Sequence, residues 1–232
     1  MMADAPTMLG HHDPVAGRMV EELFRSAASR VRTRLVNRLG TDVPVGPVAL
    51  EWTQLGQVLQ RFTAGMAVCT FQVAPSELTG IVAVEPELLA RLVGQILGQS
   101  VEQAGNASGE RLPSRFDLVV ARRIAEDVLS AVIELMPPAV GNKVEVGPAG
   151  SPARVSPSLP RTALVGAVSY EMTAPGGLQG RIFVVLPSDI TRLAAPQRTA
   201  RGGTDLRGIG GSCRSRDGRG RSCSACRCRC RR

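Results

Sequence analysis

APSELTGIVAVEPELLARLVGQIL, residues 74–97, packs a turn, a strand and a helix into one run. Ala74-Pro75-Ser76-Glu77-Leu78-Thr79-Gly80 has Pro near one end and Gly at the other, the residues that punctuate chains. Ile81-Val82-Ala83-Val84 is β-rich. Pro86 suits the first helical position, where its missing N–H costs nothing. Leu88, Leu89, Leu92, Val93 and Ile96 then share one helical face, and Gly98 can close the helix.

The same order returns near the other end of the chain. Ala174-Pro175-Gly176-Gly177-Leu178-Gln179-Gly180 leads into Arg181-Ile182-Phe183-Val184-Val185-Leu186, then Pro187, Ile190 and Leu193. Ala74/Ala174, Pro75/Pro175, Leu78/Leu178 and Gly80/Gly180 match at a constant offset of 100. Internal repeats set the architecture, and the elements around the twins extend the match. The first half reads as a helix over 18–39, an edge strand over 43–52 with two prolines, a short helix over 53–62 and a strand over 67–73. The second half reads as a helix opening at a Ser114/Asp117 capping box, a brief strand over 143–146, a loop over 147–161 and a strand over 162–172. Both halves therefore share one plan. The apolar parity of the longer strands and the pair Pro86/Pro187 do not fit the offset, so one residue must slip on each side of the turn.

Charge and cysteine divide the chain. The whole carries +8, and the tail from Arg198 onward holds eleven Arg and two Asp, which leaves −1 for residues 1–197. Cys69 lies in the body, whereas Cys213, Cys223, Cys226, Cys228 and Cys230 lie in the tail. A body with a single, core-facing Cys fits a reducing cytoplasm. The expected organisation is a flexible tail over 1–16, one domain over 17–196 and a disordered tail over 197–232. The N-terminus lacks a secretory signal pattern, and no run of about 18 apolar residues suggests a membrane helix.

Catalytic signatures are missing. His11 and His12, the only two histidines, both sit in the N-terminal segment, so neither a Ser-His-Asp nor a Cys-His arrangement is served. Neither a Walker loop nor a dinucleotide fingerprint is present. Glu85/Glu87 and Glu126/Asp127 read as solvated helix faces rather than acid–base pairs. No cofactor, metal or small-molecule substrate is expected. Cys223-Ser224-Ala225-Cys226 has metal-ligand spacing but lacks a second pair, and the Arg-rich tail lacks the aromatics that stack bases. Its Gly/Arg/Ser/Cys composition also matches a shifted reading frame, and no nucleic-acid partner is expected.

LVNRLGTDVPVGPVALEWTQLGQVL (residues 35–59), LTGIVAVEPELLARLVGQILG (78–98), LPSRFDLVVARRIAEDVLSAVIELMPP (112–138) and the stretch 154–196 resemble the middle domain of the flagellar motor switch protein FliM. The resemblance implies a three-layer α/β/α, pseudo-twofold domain of two similar halves, a fold shared with the chemotaxis phosphatases CheC and CheX. It implies a non-enzymatic subunit of the motor's cytoplasmic ring, at the cytoplasmic face of the bacterial inner membrane at the flagellar basal body. Such a subunit takes part in torque generation and switching through contacts with a FliG-like protein and with itself or FliN-like neighbours. The family's Gly-Gly-x-Gly contact loop corresponds here to Gly98, Gln99 and Ser100, a departure from the pattern. The family's acidic-hydrophobic motif for a phosphorylated response regulator is not visible in residues 1–16. Its C-terminal FliN-like domain is replaced by the Arg/Cys tail, as in a truncated paralogue or a frameshifted copy.

Two alternatives share the fold: a type III secretion ring component, and a CheC-type phosphatase. The phosphatase pattern needs Asp or Ser, then Glu four on, then Asn three further. Here Asp117 is followed by Ala121 and Ile124, and Ser26 by Arg30 and Thr33.

Overall fold

In this computed structural model residues 14–99, 111–138, 140–154, 159–173, 177 and 179–190 are described. The N-terminal tail up to residue 13, the loop over 100–110 and the chain beyond 190 lie outside the described residues, and with them His11, His12, Ser100 and every tail cysteine.

The first helix begins earlier than its periodicity predicts, at α1 (Pro14–Leu39), because Pro14 supplies a ready first turn. Residues 14–16 thus belong to the helix rather than to a flexible terminus. Strand β1 (Val45–Gln54) and the six-residue α2 (Leu55–Gln60) follow, then β2 (Ala67–Pro75), β3 (Leu78–Val84) and α3 (Pro86–Ile96). The second half comprises α4 (Arg115–Ile133), β4 (Gly141–Gly150), β5 (Leu164–Thr173) and β6 (Gln179–Pro187). Strand β4 is longer than expected and takes in Gly147 and Pro148, which the sequence assigns to a loop. The closing helix expected after Pro187 starts at Ile190 and then leaves the described residues.

All six strands form one antiparallel sheet in the order β1-β5-β6-β3-β2-β4. Exchanging β1 with β4, β2 with β5 and β3 with β6 reverses this order and leaves it otherwise unchanged. The halves are therefore related by a pseudo-twofold at the central β3–β6 pair, where Ala83 faces Phe183. Registers locate the slip: Cys69 pairs with Val82, and Tyr170 pairs with Ile182. The longer strands thus correspond at an offset of 101 and the strands after the turns at 100, and Pro86/Pro187 restore 101.

At the offset of 101 a further repeat appears. Val45-Gly46-Pro47 in β1 and Val146-Gly147-Pro148 in β4 are identical. Each is bulged: Val45 faces Met172 while Val48 faces Tyr170, and Val146 faces Phe71 while Ala149 faces Cys69. Three residues on the edge strand span two on its neighbour, which bends the edge and leaves Gly-Pro outside the ladder. Proline, with no N–H to donate, is tolerated there.

Helices α1, α3 and α4 all pack on one face of the sheet. Val20, Phe24, Ala27, Val31 and Leu35 of α1 correspond at the same offset to Ala121, Ala125, Val128, Val132 and Met136, and all ten are buried. They meet Cys69 and Phe71 of β2, Val82 and Val84 of β3, Tyr170 and Met172 of β5, and Ile182 and Val184 of β6. Each Val, Leu, Ile, Phe or Met among them contributes roughly 1.5–3 kcal/mol when fully buried. The opposite face is covered more thinly: Leu55 and Val58 of α2, with Leu59, Phe62 and Leu159, sit over Val68, Ile81, Ala83, Val165 and Val185. The three layers are present but unequal.

The start of α4 forms as its sequence predicts. The Ser114 hydroxyl accepts the Asp117 N–H at 3.2 Å, and the Asp117 carboxylate accepts the Ser114 N–H at 2.7 Å. Arg111 donates to the same carboxylate at 2.7 Å. Burial pushes the Asp117 carboxyl up, but its bonds to Ser114 and Arg111 outweigh it and hold the group below its ordinary value. Its stabilising contribution is therefore present above the unfolded pKa and lost as pH falls through the lower folded value. Ser114→Ala is expected to remove about 1 kcal/mol of stability at pH 7. Urea unfolding of the two proteins measures the difference; equal midpoints would mean that the box does not hold the helix start.

Candidate partner-binding site

Helix α3 ends on the motif singled out in the sequence. Gly98 takes a left-handed φ of +68°, which an L side chain adopts only at a cost. Its N–H donates to the Gln95 carbonyl at 3.1 Å, and the Gln99 N–H donates to the Gly94 carbonyl at 2.9 Å. These two bonds satisfy carbonyls that the helix end would otherwise leave open, the Schellman arrangement. The turn releases the chain from the core and leaves Ile96 and Leu97 42% and 56% exposed just before it. A Cβ on Gly98 would meet nothing within 4 Å, so the glycine serves the backbone angle rather than a close contact. Of the three expected contact residues, the structure places Gly98 and Gln99 together at this exposed apolar step, and Ser100 lies outside the described residues.

The acid–base readings resolve in particular ways. Asp127 is buried rather than solvated, and Arg38 of α1 donates to it at 2.9 Å. Arg30 and Arg34 of α1 both pair with Glu134. The two long helices therefore run antiparallel, clamped by ion pairs around 100 residues apart in sequence. Arg32 pairs with Asp42 and Arg25 with Glu21, so most of the basic face of α1 is neutralised locally. Glu85, also read as solvated, accepts the Arg181 N–H at 2.8 Å and joins the start of α3 to β6. Burial raises its carboxyl above the ordinary range, with the Arg181 N–H and charge opposing.

The groups needed for hydrolysis do not converge. Ala121 and Ile124, at the positions where a phosphatase needs a carboxylate and an amide, are fully buried in the core. Ser26, Arg30 and Thr33 are exposed on α1, and Arg30 is engaged by Glu134. Cys69 is buried, and desolvation pushes its thiol up to about 12, which keeps it protonated and unreactive at neutral pH. Among the described residues no group of three or more His, Cys, Asp or Glu side chains could hold a metal ion, and no helix is long and apolar enough to cross a membrane.

Two shallow grooves flank the long helices at equivalent places. One, of about 630 Å³, is lined by Ser29, Thr33, Val36 and Val45 between α1 and β1. The other, of about 500 Å³, is lined by Glu126, Ser130, Val144 and Val146 between α4 and β4. Ser29/Ser130 and Val45/Val146 again differ by 101, so the grooves are products of the duplication.

Sequence reasoning missed one surface feature. Phe116 and Val119 in the first turns of α4 are 43% and 59% exposed, and Leu112, just before its N-cap, is 63% exposed. Phe116 and Val119, three residues apart, share a helix face off the stripe that builds the core.

The sequence matches no protein-family model, and it matches no curated protein. Solved structures match across the body. The FliM of a FliG–FliM complex from H. pylori shares 15% identity, with 75% of this chain and 94% of that chain covered at a TM-score of 0.67. The FliM middle domain from Vibrio alginolyticus shares 18% identity, over 75% of this chain and 96% of that one, at 0.61. FliY from Thermotoga maritima shares 17% identity, over 78% and 93%, at 0.61. The body of this chain therefore has the mixed α/β, two-half fold of the FliM middle domain, on a sequence that resembles that family in its apolar pattern.

Proposed function

We propose that this chain is a non-enzymatic subunit of a flagellar motor switch ring, whose exposed step at Ile96–Gln99 contacts a FliG-like protein. The observation that carries the reading is the fold match to FliM middle domains over nearly their full length, one of them solved with FliG. The exposed apolar end of α3 supports it, since the site has the chemistry of docking and none of the groups that move protons or attack substrates. In this reading the chain sits in the cytoplasm, peripheral to the inner membrane at the basal body, beside further copies of itself or FliN-like subunits, and acts in rotation and chemotactic switching. Capture of a phosphorylated response regulator is not part of the proposal.

The test is binding of the purified full chain to FliG by biolayer interferometry, with Leu97→Asp as the probe variant. Binding is expected, and the aspartate, which buries an unpaired charge at the contact, is expected to weaken it at least about tenfold. Circular dichroism should be unchanged, because Leu97 is exposed. A chain that fails to bind FliG and fails to enter switch complexes in cells would end the proposal.

A further inference from the structure

The exposed apolar residues Leu112, Phe116 and Val119 stand apart from the Gly98 step. Pro113 and Asp117 lie beside Pro86, Leu89 and Ala90, at the start of α3, whereas Gly98 follows its end. Eleven helical residues separate those two places, about 16 Å of rise. Phe116 and Val119 stand three residues apart on the outer side of α4, and Leu112, two residues before the N-cap Ser114, is exposed on the segment that leads into the helix. The other side of the same helix is fully used: Val120, Ile124, Val128 and Val132 are buried against the sheet and its neighbours.

Positive charge is in excess beside these residues. Arg115 is exposed, and Arg122 and Arg123 are 49% and 60% exposed and share a single carboxylate, Glu126. The two remaining acids of the helix are turned away from solvent: Asp117 is spent on the capping box and Arg111, and Asp127 on Arg38. Exposed apolar side chains beside three guanidiniums, two of which share one carboxylate, are complementary to a helix with an apolar face and acidic borders.

We propose that the exposed apolar residues Phe116 and Val119 of α4, with Leu112 ahead of the helix and Arg115, Arg122 and Arg123 along it, dock an acidic amphipathic helix of a protein partner. The apolar side chains fit between rows of side chains on the incoming helix, and the guanidiniums pair with its carboxylates in two-pronged fashion. A membrane surface is the weaker match. Three apolar side chains bury little area in an interface, and stable attachment to a bilayer needs a longer apolar face or a second anchor.

The experiment uses the full chain and a labelled 18-residue helical peptide with Leu at positions one, four, five, eight and eleven and Glu at the flanking positions. A second peptide carries Lys at every Glu position, and vesicles of anionic and zwitterionic phospholipid form a third arm. Fluorescence anisotropy is expected to show saturable binding of the Glu peptide below about 100 µM, at least tenfold weaker binding of the Lys peptide, and weakening of the Glu peptide as salt rises. Phe116→Ser and the double change R122E/R123E are each expected to lower the affinity about tenfold, while Leu97→Asp leaves it unchanged, which separates this surface from the FliG contact proposed above. Circular dichroism of each variant checks the fold, and because all three side chains changed on α4 are exposed, R122E/R123E remains informative if Phe116→Ser unfolds. Failure to bind the Glu peptide, equal binding of both peptides, indifference to the variants, or co-sedimentation with anionic vesicles at higher affinity than the peptide would each overturn the proposal.

Discussion

Gly80→Ala is expected to lower the stability of the domain by about 3 kcal/mol or more, among the largest losses a single methyl group can cause here. A Cβ at residue 80 would stand 2.4 Å from the Val185 carbonyl oxygen and 2.5 Å from the edge of the Phe71 ring. The first obstacle is backbone in the central β3–β6 region, and the second is a buried ring with nowhere to turn. Neither yields cheaply, so strand β3 itself must shift. Its pseudo-twofold mate behaves alike: a Cβ on Gly180 would lie 2.6 Å from the Leu88 Cβ. Gly98→Ala provides the contrast, because its space is open and only its backbone angle is strained, which costs about 1–2 kcal/mol. Denaturant melts of the three variants test the ranking. A loss at Gly80 no greater than at Gly98 would mean that the sheet centre adjusts freely, and the close-contact explanation would fail.

The second large effect is Phe24→Ala, expected to cost about 3–5 kcal/mol. Phe24 is completely buried at the point where α1 meets the sheet. Its ring lies 6.2 Å from that of Tyr170, centre to centre, and its carbonyl accepts the Tyr170 hydroxyl at 3.0 Å. Deleting the ring removes its transfer free energy and opens a cavity that the long helix, clamped to α4 at Arg30, Arg34 and Arg38, cannot close by sliding. Tyr170→Phe keeps both rings and removes only the hydroxyl, so it should cost about 0.5–1.5 kcal/mol. Thermal and urea unfolding of both variants gives the comparison. If Tyr170→Phe were the more damaging of the two, the hydrogen bond rather than the packed ring would be what joins α1 to the sheet.

Where the information was local, the sequence could be read directly. Ser114 and Asp117 are three residues apart, and their box formed as expected. Pro44 and Pro47 pointed to an edge strand, and β1 lies at the edge. Gly98 pointed to a helix end, and it ends α3. The duplication was harder because it uses two offsets. Gly80 and Gly180 fix 100, since each must lack a Cβ at the crowded sheet centre, and a search at 100 hides Val-Gly-Pro, which repeats at 101. Asp127 was misread for a different reason: its partner Arg38 is 89 residues away, and no local pattern distinguishes a solvated acid from one buried by a distant cation. Leu112, Phe116 and Val119 escaped because they lie outside the stripe that builds the core, and no local pattern distinguishes an exposed apolar side chain from a buried one.

The paired Val-Gly-Pro bulges bear on how copies of this domain can be put together. An open sheet ends in two rows of backbone groups, and an unprotected row invites another chain to extend it strand by strand. Here both margins are bent and carry a residue that has no hydrogen to offer, at matching points. Growth by that route is obstructed at β1 and at β4 alike. A larger assembly of this domain therefore has to be made by bringing finished units together through side chains on helices and turns. Contacts of that kind form and part without unfolding anything, so an assembly built from them can change its arrangement while every copy keeps its fold.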